Sequence, residues 1–189
     1  MNYYEKLKED IGVNRYNHSI RVRDTAVELA KIYDCDINKA MVAGLLHDCG
    51  KYFDKDYLLK QAFEFGIMKD ESLVNNRHII HAPLGAVIAQ VEYNVNDNEI
   101  LDAIRYHTTG KENMTLLDKI IYLADYIEPK RNFTGVENIR KLAYENIHLA
   151  MLKALENSIY HLLDTQRSIH LDTIRARNYI IQFGGSFNE

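Results

Sequence analysis

Five apolar stripes of helical period run through this chain, and each begins or ends on an imidazole or a carboxylate. His18 opens Val22, Ala26, Leu29 and Tyr33, while His47 closes Ala40, Ala43 and Gly44. His81 opens Leu84, Gly85 and Ile88, His107 closes Ile100, Ala103 and Ile104, and Asp125 follows Leu117 and Ile121. Steps of three and four place each set on one helix face, the face that turns toward a core. The pattern therefore calls for helices whose shared interior is polar at its ends. The doublet His47-Asp48 is the sharpest case, closing the apolar run Met41-Val-Ala-Gly-Leu-Leu46 and continuing into Cys-Gly-Lys51. Leaving either group unpaired in a dry interior costs several kcal/mol. A divalent or trivalent cation satisfies both, because imidazole nitrogen and carboxylate oxygen both ligate first-row metals.

No alternating strand pattern competes with the helical one. The spacing predicts helices over 2–11, 15–33, 37–48, 55–65, 78–92, 97–107, 115–127, 136–144, 146–164 and 171–182. Asp36, Asp97 and Thr115 stand where N-caps belong. Pro129 stops the helix that reaches Asp125, and Gly184-Gly185 ends the last one. The expected fold is an all-α bundle with a buried metal site, its ligands projecting inward from facing helices. With 189 residues, 47% of them hydrophobic, the chain suits one domain over 1–189.

A net charge of −4 argues against a general nucleic-acid binder. No apolar run approaches the ~20 residues of a membrane span, and the N-terminus lacks the apolar segment of a secretory signal. Cys35 and Cys49 are too few for a disulfide framework, so a cytoplasmic setting is expected. Cys49 reads as a small buried hydrophobe rather than a ligand.

A lone histidine on an apolar face is more often a hydrogen-bonded core residue than a ligand. His148 opens Leu152, Leu155 and Ile159 with no carboxylate beside it, and reads as structural. His161 faces solvent or a helix contact, and His78 either supports the ligands from behind or is exposed. Arg140 and Lys141 read as solvated charge. Arg175 and Arg177, two apart on a helix, cannot both face one site. Tyr106 and Phe133 suit core contacts better than stacking on a base. What separates His18, His47, Asp48 and Asp125 from these is their combination on separate helices.

In that order the four residues resemble the signature of the HD-domain metal-dependent phosphohydrolases. The opening Arg15-Tyr-Asn-His18-Ser-Ile-Arg-Val looks like that family's first helix. Ala124-Asp-Tyr-Ile-Glu-Pro-Lys-Arg131-Asn-Phe-Thr-Gly-Val136 and Thr173-Ile-Arg-Ala-Arg-Asn178-Tyr-Ile are similar to one subgroup. It is the YqeK-type hydrolases, which split diadenosine tetraphosphate symmetrically into two ADP. The chain departs from the family at Cys49-Gly50, where an aliphatic or aromatic residue followed by Ala is usual. The departure touches local packing, not the ligands.

The resemblance implies that His18, His47, Asp48 and Asp125 bind the metal, iron before Mn, Mg or another divalent ion, as one or two ions. It implies that His81 and His107 serve the substrate phosphates or a second metal, and that Lys51 and Arg131 meet phosphate. Arg15 and the turn Ser168-Ile169-His170-Leu-Asp172 fall near the nucleotide. Asp48, Lys51, His81 and His107 are then the catalytic groups. The partner implied is a dinucleoside polyphosphate or nucleoside diphosphate, with no nucleic acid and no membrane; a homodimer stays open. Two alternatives remain. One is an HD hydrolase of another nucleotide: a nucleoside monophosphate, a nucleoside triphosphate or a cyclic dinucleotide, the last disfavoured because no Gly-Tyr-Pro motif is present. The other is a nucleotide-binding regulator without turnover.

Overall fold

The computed structural model describes residues 3–51, 55–67 and 78–184, and no strand occurs among them. The helices are α1 (Tyr3–Ile32), α2 (Ile37–Leu46), α3 (Lys55–Glu64), α4 (His81–Tyr93), α5 (Asn98–Tyr106), α6 (Leu116–Ile127), α7 (Val136–Glu145), α8 (Ile147–Asp164) and α9 (Leu171–Phe183). The all-α expectation holds. The spacing predicts separate helices over 2–11 and 15–33, and α1 is indeed divided into two at Gly12, whose non-helical φ of 78° and ψ of 160° suit glycine. Residue 2 and Gly185 lie outside the described residues.

The caps are where their chemistry places them. Asp36 accepts from the backbone N–H groups of Asn38 and Lys39, and Asp97 from those of Glu99 and Ile100. Thr115 and Asp118 form a reciprocal capping box at the start of α6. His47 and His107 directly follow α2 and α5, and Asp125 lies in the last turn of α6, so the candidate set gathers at the opposite ends of these three helices from their caps.

Helices α2 and α6 pack on each other and each on α1 and α5, α4 packs on α5, and α7 to α9 cover the other side through α6 and α8. Leu46, Leu84, Ile88, Ile104, Leu117, Ile120 and Ile121 are fully buried between them. Burying such a side chain stabilises the fold by roughly 1.5–3 kcal/mol. The turn after α2 touches the start of α4 through glycine. A Cβ on Gly50 would lie 2.3 Å from the His81 carbonyl oxygen and 2.6 Å from the Gly85 nitrogen. An alanine does not fit here without moving backbone, so Gly50 lets α4 bring His81 against Asp48. Cys49 is fully buried beside it, its Sγ donating to the Gly85 carbonyl at 3.2 Å. Burial pushes its thiol far up, and its sulfur is turned to the Gly85 carbonyl.

Candidate metal centre

Four imidazoles turn their Nε2 atoms toward two carboxylates. His18 sits in the middle of α1, His47 just after α2, His81 at the first position of α4, and His107 just after α5. Asp48 lies in the turn closed by Cys49 N–H to Leu46 carbonyl (3.0 Å) and Lys51 N–H to Asp48 carbonyl (2.9 Å). Asp125 occupies the last turn of α6. His18 Nε2 is 3.0 Å from Asp125 Oδ1 and 3.8 Å from Asp48 Oδ2. His47 Nε2 is 3.4 Å from Asp48 Oδ2 and 3.8 Å from Asp125 Oδ1. His81 and His107 approach Asp48 Oδ1 from the other side, at 3.4 and 3.5 Å.

The Nδ1 atoms explain why Nε2 is presented. Nδ1 of His47 lies 2.8 Å from the Gly44 carbonyl, and Nδ1 of His107 lies 2.7 Å from that of Ile104. A carbonyl only accepts, so each Nδ1 carries a proton and turns Nε2 into the cluster, where it offers a lone pair whenever the ring is neutral. Both bonds reach back three residues, which is why each histidine follows the end of its helix. His18 Nδ1 faces the Glu128 carboxylate at 3.2 Å, the outer partner that fixes tautomer and ring orientation in metal-binding histidines.

The protonation states suit a cation. Burial drives His47 and, further, His81 below the ordinary imidazole range, Lys51 adding to the effect at His81. Burial alone would raise the Asp48 carboxyl, but His47, Lys51 and His107 hold it well below its usual range. Burial would likewise raise Asp125, and His18, His47 and Arg131 bring it well below. Neutral imidazoles among ionised carboxylates are the forms that ligate metal. The buried atoms His18 Nε2, His47 Nε2 and Asp48 Oδ1 have no hydrogen-bond partner. Three such atoms together would each carry a desolvation penalty, and a cation removes it. Two ligand groupings lie close enough for one ion: His18, His47 and Asp125, and His47, Asp48 and His107. The residues present fit a divalent metal.

Three cations border the cluster. Arg15 Nη1 lies 3.0 Å from Asp48 Oδ2, and Lys51 Nζ 3.2 Å from Asp48 Oδ1. Arg131 pairs with the Asp125 carboxylate and donates from Nε to the Asp125 carbonyl at 2.8 Å. All three side chains remain about a third exposed (39, 31 and 38%), so they can meet a ligand arriving from solvent.

The other expected residues are more dispersed. His170 caps α9, its Nδ1 accepting from the Asp172 N–H at 3.2 Å. It lines a cleft of about 520 Å³ with Pro83, Arg105, Tyr106, Thr108 and Thr109, the last three flanking His107. Ser168 is exposed and Ile169 half-buried; neither is brought to the cluster. His78 is exposed, and His148 is half-buried on α8, away from both carboxylates. Phe133 packs edge-on against Tyr126.

Two features went unassigned or misread in the sequence. Glu128, buried between His18 and Arg21, follows Asp125 by three residues just as Arg21 follows His18. That matched spacing on two helices was the available signal. Arg140 is not solvated charge: its side chain is 23% exposed and donates to backbone carbonyls of the turn after α6.

Comparison with known proteins agrees with this geometry. The HD domain family matches residues 15–130. The symmetrical bis(5'-nucleosyl)-tetraphosphatase of Bacillus subtilis (strain 168) is 40% identical over 175 residues, spanning 93% of this chain and 94% of that protein. The Staphylococcus aureus (strain NCTC 8325 / PS 47) protein of the same name is 40% identical over 176 residues, or 91% of this chain and 89% of its own. The crystal structure of a predicted HD superfamily hydrolase involved in NAD metabolism, from Clostridium acetobutylicum, has 40% identity and a TM-score of 0.90, covering 95% of each chain.

Proposed function

This chain belongs to the HD-domain family, and from its kinship with symmetrical bis(5'-nucleosyl)-tetraphosphatases along nearly its whole length we propose that it hydrolyses diadenosine tetraphosphate to two ADP. One water adds across the central phosphoanhydride: its oxygen bonds to phosphorus, the bond to the departing ADP oxygen breaks, and both products are diphosphates. The observation that carries the reading is the cluster of two ionised carboxylates, four imidazoles and three bordering cations, beside a cleft of about 520 Å³, a size that suits a nucleoside.

In this reading His18, His47, Asp48 and Asp125 hold a divalent cation. When bound, that cation supplies Lewis acidity toward phosphate oxygens and toward water. Mixed imidazole and carboxylate donors suit iron or manganese better than structural zinc, and iron is proposed first because the family resemblance implies it. Arg15, Lys51 and Arg131 neutralise the polyphosphate and the charge that grows on the departing ADP.

His81 and His107 then divide their work. His107 Nδ1 commits its proton to the Ile104 carbonyl, so its Nε2 offers a lone pair, suited to a cation. With His107 Nε2 turned to a cation, His81 Nε2, 3.3 Å away, keeps its proton for a phosphate oxygen. Burial and Lys51 keep His81 neutral, so it orients a phosphate oxygen as a hydrogen-bond donor. ADP departs as a stable anion and does not need a proton from it. His170, Ser168 and Ile169 take the nucleoside end in this reading, and the reaction belongs to the cytoplasm. Among the described residues no helix is long and apolar enough to cross a membrane.

Product analysis of the iron- or manganese-loaded protein tests the proposal. ADP as sole product from diadenosine tetraphosphate supports it. AMP with ATP would assign the cut to another position, and tight binding without turnover would make the chain a regulator.

A further inference from the structure

We propose that Arg140 is a positioning residue for the metal centre: from α7 it clamps the turn after α6, setting Glu128 against His18 and Arg131 against Asp125. The inference rests on the reading of His18 and Asp125 as ligands. The clamp consists of three hydrogen bonds to backbone oxygens. Arg140 Nε donates to the Ile127 carbonyl at 2.9 Å, and Nη2 donates to the carbonyls of Glu128 and Arg131, each at 3.2 Å. The remaining Nη1 pairs with the Glu137 carboxylate, one turn earlier on α7. These carbonyls span the turn from the last residue of α6 to its far end, where the Arg131 N–H returns to the Glu128 carbonyl at 2.8 Å.

Carbonyls at a helix C-terminus have no partner within the helix and must find donors elsewhere. A planar guanidinium offers several donors in a fixed fork, so one side chain can hold three oxygens in a set relation. A lysine ammonium offers no such fork. Two connections leave the clamped turn toward the ligands. The Glu128 carboxylate accepts from the Lys130 N–H at 2.8 Å and from Arg21 Nε at 2.6 Å, and its Oε1 reaches His18 Nδ1 at 3.2 Å. Arg131, at the other end, pairs with Asp125. One α7 side chain thus governs the orientation of two groups that it does not touch.

The test measures Mn2+ affinity by chelator competition, with melting temperature recorded beside it, for wild type, Arg140→Gln, Glu128→Gln and the double variant. Arg140→Gln is expected to bind Mn2+ about tenfold more weakly, the scale typical of an outer-shell partner. The double variant should lose less than the product of the two single losses, because both cut one connection. Lys141→Gln, on the same helix and clear of the turn, should change nothing. A purely structural arginine would lower the melting temperature and leave Mn2+ affinity intact. That result, or fully multiplicative losses, overturns the clamp. Should Arg140→Gln fail to fold, Arg140→Lys supplies the same comparison, with weakened affinity expected and unchanged affinity overturning the proposal. A wild type that binds no Mn2+ overturns the ligand reading itself, and the clamp with it.

Discussion

His47 and Asp48 owe their value to what surrounds them, because each buries an atom without a hydrogen-bond partner. His47→Ala or Asp48→Ala should therefore abolish turnover together with metal content, measured by elemental analysis and product assay on the same preparation. Activity surviving in either variant would remove the proposed chemistry. Arg131→Ala should behave differently, keeping full metal content at saturating Mn2+ and raising KM, since Arg131 faces the ligand Asp125 from the solvent side. Glu128 carries a prediction of its own. Burial would raise its carboxyl, but Arg21, the Lys130 N–H and His18 bring it down to about 2 from 4.5. A carboxyl lowered on folding stabilises the fold above its unfolded value and loses that contribution as pH falls through its folded value. The melting temperature of metal-free wild type should exceed that of Glu128→Gln near neutrality, and the gap should close between pH 4.5 and pH 2. A gap independent of pH would show that the charge of Glu128 is not what stabilises.

At the scale of helices and turns, the ends matter more than the middles. Candidate ligands stand just after α2 and α5 and at the first position of α4, so each depends on where its helix stops or starts. Gly50 is the most confined of these junctions. Gly50→Ala forces backbone apart near His81, and overpacking of this kind costs about 1–3 kcal/mol. The variant should melt earlier and also lose activity, because His81 moves away from Asp48. Unchanged kinetics would show that the approach of α4 is not needed for the site. Thr115→Ala offers a contrast: losing its capping bond should cost about 1 kcal/mol while leaving kcat intact, since the start of α6 is a full helix away from Asp125.

Over the whole molecule, the cluster draws on three helices, α1, α4 and α6, and on the turns after α2, α5 and α6, joining residues as far apart as His18 and Glu128, separated by 110 positions. A ligand that binds only when these parts are assembled stabilises all of them. Metal at a hundredfold excess over its Kd should add roughly 2.7 kcal/mol, or about 5–10 °C for a chain of this size. Adding a chelator should reverse the shift. A melting temperature indifferent to both would mean that no cation binds the native state selectively.

Helix type, most boundaries, the caps at Asp36, Asp97 and Thr115, and the polar ends of five apolar stripes were all legible along the chain. These properties depend on residues three or four positions apart, so periodicity and cap chemistry are enough to read them. The division of α1 at Gly12 was legible in the same way, since the helical spacing stops before it and resumes after it. The roles of Glu128, Arg140 and Gly50 could not be read that way. A solvated arginine and one that clamps three carbonyls follow the same local pattern, as do a glycine in an open turn and one pressed against a neighbouring backbone. The difference between them arises when distant segments pack, because which carbonyl, carboxylate or backbone each one meets is set by helix crossings rather than by chain neighbours.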